Sequence, residues 1–289
     1  MRLGNSGWRL DVADELPDEF MENLRKSVKD EDPEALIIGE VWEDASNKES
    51  YGARRKFLLG EQLDTVMNYV FRGAIIDFCR GQDARYTMAA IMSVIENYPR
   101  PVLRVLMNSL STHDTERILT MLAGEPLNGR DRGWQAHQKL SPEQHAHGVR
   151  LLKIASAMQY TLPGFPCVYY GDEAGMEGYR DPFNRCCYPW GKEDKELLAW
   201  HKKLGGLRAD CSALWDGDFI RAFAKDRRLA YIRHDDKTAL YCAFNLMDHD
   251  DVLTPPPGFS DGVPFFGNKF EDNKLYLPSM SCEFLRIDL

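Results

Sequence analysis

Ala35-Leu36-Ile37-Ile38-Gly39-Glu40-Val41 is a near-continuous apolar run closed by an acid. Such a run marks a parallel strand buried on both faces. Upstream, Gly7-Trp8-Arg9-Leu10-Asp11-Val12 reads as a second strand, with Arg9 and Asp11 on one face by the period-two rule. Between them, Asp18 and Glu19 open a helix whose Phe20, Leu24 and Val28 recur on one apolar stripe. Strand, helix and strand form a βαβ unit, and the 29 residues from Asp11 to Glu40 suit one repeat.

The alternation continues. Strands are expected near 63–68, 105–112 and 167–171, and helices near 87–97, 147–161 and 193–208, with a polar, Pro-containing loop at 181–190. From about residue 212, short alternating segments such as 228–234 and 238–245 are separated by turn clusters that include Pro255-Pro256-Pro257-Gly258. That grammar predicts a small antiparallel β domain. The expected division is therefore 1–210, an α/β barrel portion, and 211–289, an all-β domain.

The chain of 289 residues carries 36 Lys+Arg against 45 Asp+Glu, a formal charge of −9. An acidic surface is a poor partner for a phosphate backbone, so no nucleic acid is expected. No apolar run approaches the roughly 18 residues that cross a bilayer, so no membrane association is expected. Seven cysteines, at 79, 167, 186, 187, 211, 242 and 282, form no C-x-x-C pair and read as reduced thiols. With no leader pattern in the first seven residues, the expected compartment is the cytoplasm.

Asp11, Glu40 and Asp114 fall at the C-terminal ends of expected parallel strands, the rim where βα loops enclose a substrate in a barrel. A carboxylate at a strand end is more often a loop solvator or ion-pair partner than a catalyst. Here the neighbours argue otherwise. Arg9 points with Asp11 and favours its ionised form, while Glu40 follows a buried run where desolvation favours the protonated form. One ionised and one protonated acid is the pair that a retaining glycosidase uses. Trp42 offers a ring face for sugar stacking, and His113 beside Asp114 can hydrogen-bond vicinal hydroxyls.

Other features carry simpler readings. His145-Ala146-His147 has no further ligand at metal spacing and reads as a solvated helix start. Cys186-Cys187 reads as a pair of loop thiols. Asp248, Asp250 and Asp251 lack a calcium-loop pattern and read as a solvated turn. For Tyr169, Tyr170, Phe71, Phe78 and Trp134, core packing is the default.

In order and spacing, Gly7-Trp8-Arg9-Leu10-Asp11-Val12-Ala13-Asp14-Glu15, Gly39-Glu40-Val41-Trp42 and Ser111-Thr112-His113-Asp114-Thr115-Glu116-Arg117 resemble three motif regions of the α-amylase family. The stretch 163–173 is similar to that family's eighth-strand segment, so the likeness extends over about residues 7–200. Asp181-Pro182-Phe183-Asn184-Arg185 is closest to the neopullulanase and cyclomaltodextrinase group. The resemblance implies a (β/α)₈ barrel followed by a β-sandwich. It implies an α-glucan hydrolase acting on α-1,4, and in part α-1,6, bonds of maltooligosaccharides, cyclodextrins or pullulan, or else a transglycosylase or a non-catalytic scaffold.

Carried over by position, the resemblance makes Asp11 the nucleophile and Glu40 the general acid that then serves as base. Asp114, with His113, would bind sugar hydroxyls, and Arg9 would support Asp11. Asp181 and Arg185 would contact the glycone side, and Trp42 would border the leaving-group side. No cofactor and no metal site is expected in this stretch, although many relatives bind calcium further upstream. Family members begin their barrel three strands earlier, so this chain is expected to hold strands four to eight and to read as a fragment. Unpaired edges at its first and last parallel strands would invite self-association, for instance as a homodimer.

Overall fold

The structure is a computed structural model and describes residues 4–289. Of the stretch read for a leader, residues 1–3 lie outside the described residues. The chain opens with β1 (Gly7–Leu10), α1 (Asp18–Glu31) and β2 (Leu36–Gly39), and the two strands run parallel with Arg9 opposite Ile38 and Leu10 opposite Gly39. Gly39 has no room for a side chain, because an added Cβ would stand 2.3 Å from the Leu63 Cδ1. In α1 the buried stripe is Met21 and Val28 with Leu24 beside them, while Phe20 is exposed. The expected stripe thus starts one residue later, since Met21, Leu24 and Val28 recur at i, i+3 and i+7.

A small hairpin, β3 (Glu49–Ser50) with β4 (Ala53–Arg54), precedes β5 (Thr65–Val66), which pairs in parallel with β2. Then come α2 (Tyr69–Cys79), α3 (Ala84–Asn97), α4 (Arg100–Arg104) and β6 (Met107–Ser109). A parallel bridge from Met67 to Met107 carries the sheet from β5 to β6. After β6 follow α5 (Ile118–Ala123), α6 (Arg132–Ala136), α7 (Pro142–Thr161) and β7 (Phe165–Cys167), the last paired in parallel with β6. The parallel strands therefore stand side by side in chain order. Among the described residues, β1 pairs only with β2, and β7 only with β6.

The eighth-strand segment forms its strand two residues earlier than expected. Gly164, in the left-handed region at φ 105°, sits against the Leu106 carbonyl and lets the strand begin at once. Residues 169–172 are then free to turn. α8 (Lys195–Asp210), capped by the Asp194 side chain, and α9 (Ala213–Asp216) lead into the β region.

There, β8 (Asp218–Lys225), β9 (Arg228–His234), β10 (Thr238–Asn245), β11 (Asp251–Leu253), β12 (Val263–Pro264), β13 (Phe270–Glu271), β14 (Lys274–Leu277) and β15 (Ser281–Asp288) make two antiparallel sheets. Their orders are β12-β15-β10-β9-β8 and β11-β14-β13. β10 shows how the period of two builds two cores. Leu240, Cys242 and Phe244 join the main core with the helices, whereas Ala239, Tyr241 and Ala243 pack with Leu253, Leu275 and Leu277 of the smaller sheet. Across the join with the helical part, the Thr161 and Tyr231 hydroxyls lie 2.6 Å apart, and Arg233 Nη1 donates to the Thr161 carbonyl at 2.7 Å.

Phe71 and Phe78 lie fully in the core, and Trp134 packs edge-on to Tyr179. His145 is more than a solvated helix start: its Nδ1 lies 3.1 Å from Glu177 Oε1, tying the first turn of α7 to the loop after β7. Cys186 and Cys187 are exposed, and every cysteine is unpaired. The 248–251 turn is braced: Asp251 pairs with Arg228, and Asp250 accepts the Ser279 N–H. No helix among the described residues is long and apolar enough to cross a membrane.

Candidate active site

The parallel strands aim their C-terminal ends at one rim, and the acids singled out above follow those ends. Asp11 stands one residue beyond β1 and Glu40 one residue beyond β2. Asp11 is therefore in the turn rather than within the strand. Arg9, the residue before the last in β1, points into the same space and touches both acids. Its Nη1 pairs with Asp11 Oδ1, and its Nη2 lies 2.9 Å from Glu40 Oε1. The second contact is a charge contact without the alignment of a hydrogen bond.

The two carboxyls differ sharply in exposure. The Asp11 side chain is 73% exposed, and that of Glu40 is 3% exposed. The buried Glu40 carboxyl meets three neighbours: the Arg9 cation, the Val12 N–H that donates to Oε2 at 3.0 Å, and the Tyr69 hydroxyl 3.4 Å from Oε1. Val12 adopts φ 44°, in the left-handed region, and this turn aims its N–H at Glu40. Burial pushes the Tyr69 phenol up to about 12, so it stays a proton donor. Trp42 lies flat on Tyr69, 4.4 Å between ring centroids at 10°, with 49% of its own surface open to solvent.

Asp114 and His113 occupy the loop after β6, with His113 Nε2 3.0 Å from Asp114 Oδ2. Asp181 and Arg185 sit in the loop after β7. Arg185 Nε lies 2.8 Å from Asp181 Oδ1, and its Nη2 reaches 3.6 Å from Asp114 Oδ1. All eight residues singled out from the sequence thus line the rim, in two clusters. Among the described residues no group of three or more His, Cys, Asp or Glu is arranged to hold a metal ion.

Three participants were not found from sequence. Tyr69 follows β5 as the first residue of α2, and only its place at a strand end could have marked it. Arg117 is fully buried, donates through Nε to the Asn184 carbonyl at 2.8 Å, and stacks on the Tyr169 and Tyr170 rings at 4.2 and 4.6 Å. Its acid partner is Asp172, 3.3 Å away, whose carboxyl is pushed up to about 7 by burial. Asn184, also fully buried, donates to the carbonyls of His113 and Thr115, each at 2.7 Å. No periodicity announces polar side chains that fold inward at loop positions.

The chain is similar to known proteins along most of its length. Residues 1–241 match the alpha amylase catalytic domain. The chain is 37% identical over 243 residues to an amylopullulanase from Thermoanaerobacter thermohydrosulfuricus, covering 80% of this chain and 15% of that protein. It is 34% identical over 286 residues to a cyclomaltodextrinase from Thermoanaerobacter pseudethanolicus, covering 97% of this chain and 44% of that protein. Among solved structures, the debranching enzyme from Nostoc punctiforme superposes with a TM-score of 0.78 at 26% identity, over 98% of this chain and 57% of that one. The chain spans less than half the length of these curated relatives. By the family match over most of its length, and by relatives more than 30% identical, the chain belongs to the alpha-amylase family.

Proposed function

We propose that this chain is the catalytic portion of a retaining α-glucan hydrolase that cleaves α-1,4 bonds, and in part α-1,6 bonds, of maltooligosaccharides, cyclodextrins or pullulan. The observation that carries the reading is the Arg9 guanidinium shared by an exposed Asp11 and a buried Glu40 at the ends of neighbouring parallel strands. One planar cation holding two carboxyls keeps them close, as the covalent route requires.

In this reading Asp11 attacks the anomeric carbon while Glu40 gives its proton to the departing glycosidic oxygen. Water, deprotonated by Glu40, then releases the sugar from Asp11. Arg9 orients and supports Asp11, and Asp114 with His113 holds sugar hydroxyls. Asp181 and Arg185 meet the glycone side, and the Trp42 ring borders the leaving group. The similarity to a cyclomaltodextrinase and an amylopullulanase supports this substrate class. Transfer to a second sugar would use the same intermediate.

The parallel run β1-β2-β5-β6-β7 is read as strands four to eight of a (β/α)₈ barrel, with a boundary near residue 210. The two C-terminal sheets, which share a buried cluster, are read as a sandwich. The one-sided strands β1 and β7 are the places where a second copy would pair. Seven unpaired thiols support a cytoplasmic setting.

The test is reducing-sugar release from maltoheptaose, β-cyclodextrin and pullulan by this chain and by one extended upstream, each with its Glu40→Gln variant. Turnover lost in the variant supports the assignment, and undiminished turnover overturns it.

A further inference from the structure

The two loops that carry Asp114 and Arg185 are joined by a network of polar groups, and within it one buried amide makes the contacts that flank Asp114. Asn184 is completely buried, and its Nδ2 donates to the main-chain carbonyls of His113 and Thr115 at 2.7 Å, with Thr112 at 3.4 Å. These carbonyls bracket Asp114. The residue after the amide, Arg185, adds its own bond from Nε to the His113 carbonyl at 3.1 Å and reaches the Asp114 carboxylate.

Asn184 is in turn fixed from behind. Its carbonyl accepts from Arg117 Nε, and the Arg117 main-chain N–H donates to the Gly178 carbonyl at 2.9 Å. Gly178 lies so close to this loop that an added Cβ would stand 2.3 Å from the Phe183 carbonyl. The short helical turn Phe183–Arg185 thus turns Asn184 inward and leaves Arg185 at the rim.

We infer that Asn184 is a positioning residue: it does not touch substrate, but sets the place of the Asp114 carboxylate by clamping the backbone on both sides of it. Two features argue for a role beyond packing. The amide donates to carbonyls of a loop that carries two site residues, and a donor facing several acceptors cannot be replaced by an acceptor without repulsion. Asn184→Asp is nearly isosteric and makes that replacement, while Asn184→Ser keeps a donor on a shorter arm. The inference rests on the reading of Asp114 as a substrate-binding acid.

The experiment has two readouts on the full chain. Amide hydrogen exchange should quicken in Asn184→Asp by at least about tenfold over residues 112–116, with exchange in β10 unchanged as the control for folding. Unchanged exchange at 112–116 would overturn the clamp. In the form that hydrolyses maltoheptaose, Asn184→Asp should lower kcat about 100-fold with little change in KM, and Asn184→Ser should recover part of the loss. In an Asp114→Asn background the same substitution should cost less than about threefold more, because the two act through one carboxylate. Losses that simply multiply would mark a general structural effect and overturn the positioning role. If neither the chain nor its extended form turns over any α-glucan, the hydrolase reading fails, and the exchange data still decide the clamp.

Discussion

Arg9 and Glu40 meet at 2.9 Å although one lies within a strand and the other just past the end of its neighbour. The register that sets Leu10 opposite Gly39 brings the guanidinium level with the residue after Gly39. The same guanidinium also holds Asp11, so one side chain fixes the position of both acids.

Lysine in place of Arg9 keeps the charge but is a single point that cannot span both carboxyls. Arg9→Lys is expected to lower kcat by about 100-fold, comparable to removing one fixed donor from a charge-stabilising site. Steady-state reducing-sugar assays decide it, and a rate near that of the unaltered protein would mean that the bridge is idle.

Trp42 presents half its ring to solvent while Tyr69 supports the other face. Trp42→Ala should raise KM for maltoheptaose by about 2- to 10-fold, the equivalent of a stacking contact of about 0.5–1.5 kcal/mol, and leave kcat nearly unchanged. A change in kcat alone would contradict a binding role.

Asp172 predicts a pH effect on stability. Its folded carboxyl holds a proton up to about pH 7, whereas in the unfolded chain it loses that proton near about 4. Between those values the folded state binds more protons, so this group's contribution is fully present below about 4 and is lost as pH rises through about 7. Urea denaturation across that window should show stability falling less steeply in Asp172→Asn than in the unaltered protein. Parallel curves would show that Asp172 does not titrate there.

The join between helical and β parts can be probed at Arg233, whose Nη1 and Nη2 donate to the Thr161 and Gly217 carbonyls. Arg233→Met removes charge-assisted bonds and should destabilise by about 1.5–3 kcal/mol, read as a lower urea midpoint. An unchanged midpoint would show that these bonds contribute nothing net.

Legibility from sequence followed burial. The apolar run before Glu40 and the alternation of 228–245 announced β2, β9 and β10, because burying one or both faces of a strand forces a pattern on consecutive residues. The short helices α5 and α6 went unread, since five or six residues hold too few turns to show a period. Asp11 and Glu40 were legible because each stands one residue past its strand, whereas Asp114 lies five residues past β6. Tyr69, Arg117 and Asn184 were not, because their partners are main-chain carbonyls or residues distant in sequence.

The turn after Asp11 leaves one more consequence. Val12 is β-branched yet sits at φ 44°, a conformation that costs such a residue about 1–2 kcal/mol. That strain is held where its N–H meets Glu40 Oε2. Glycine at this position would relax the backbone and, in the same step, free the turn to drift away from the buried acid. Stability and catalytic order therefore pull in opposite directions at this one residue, so selection for a hardier protein at Val12 would tend to produce a slower one.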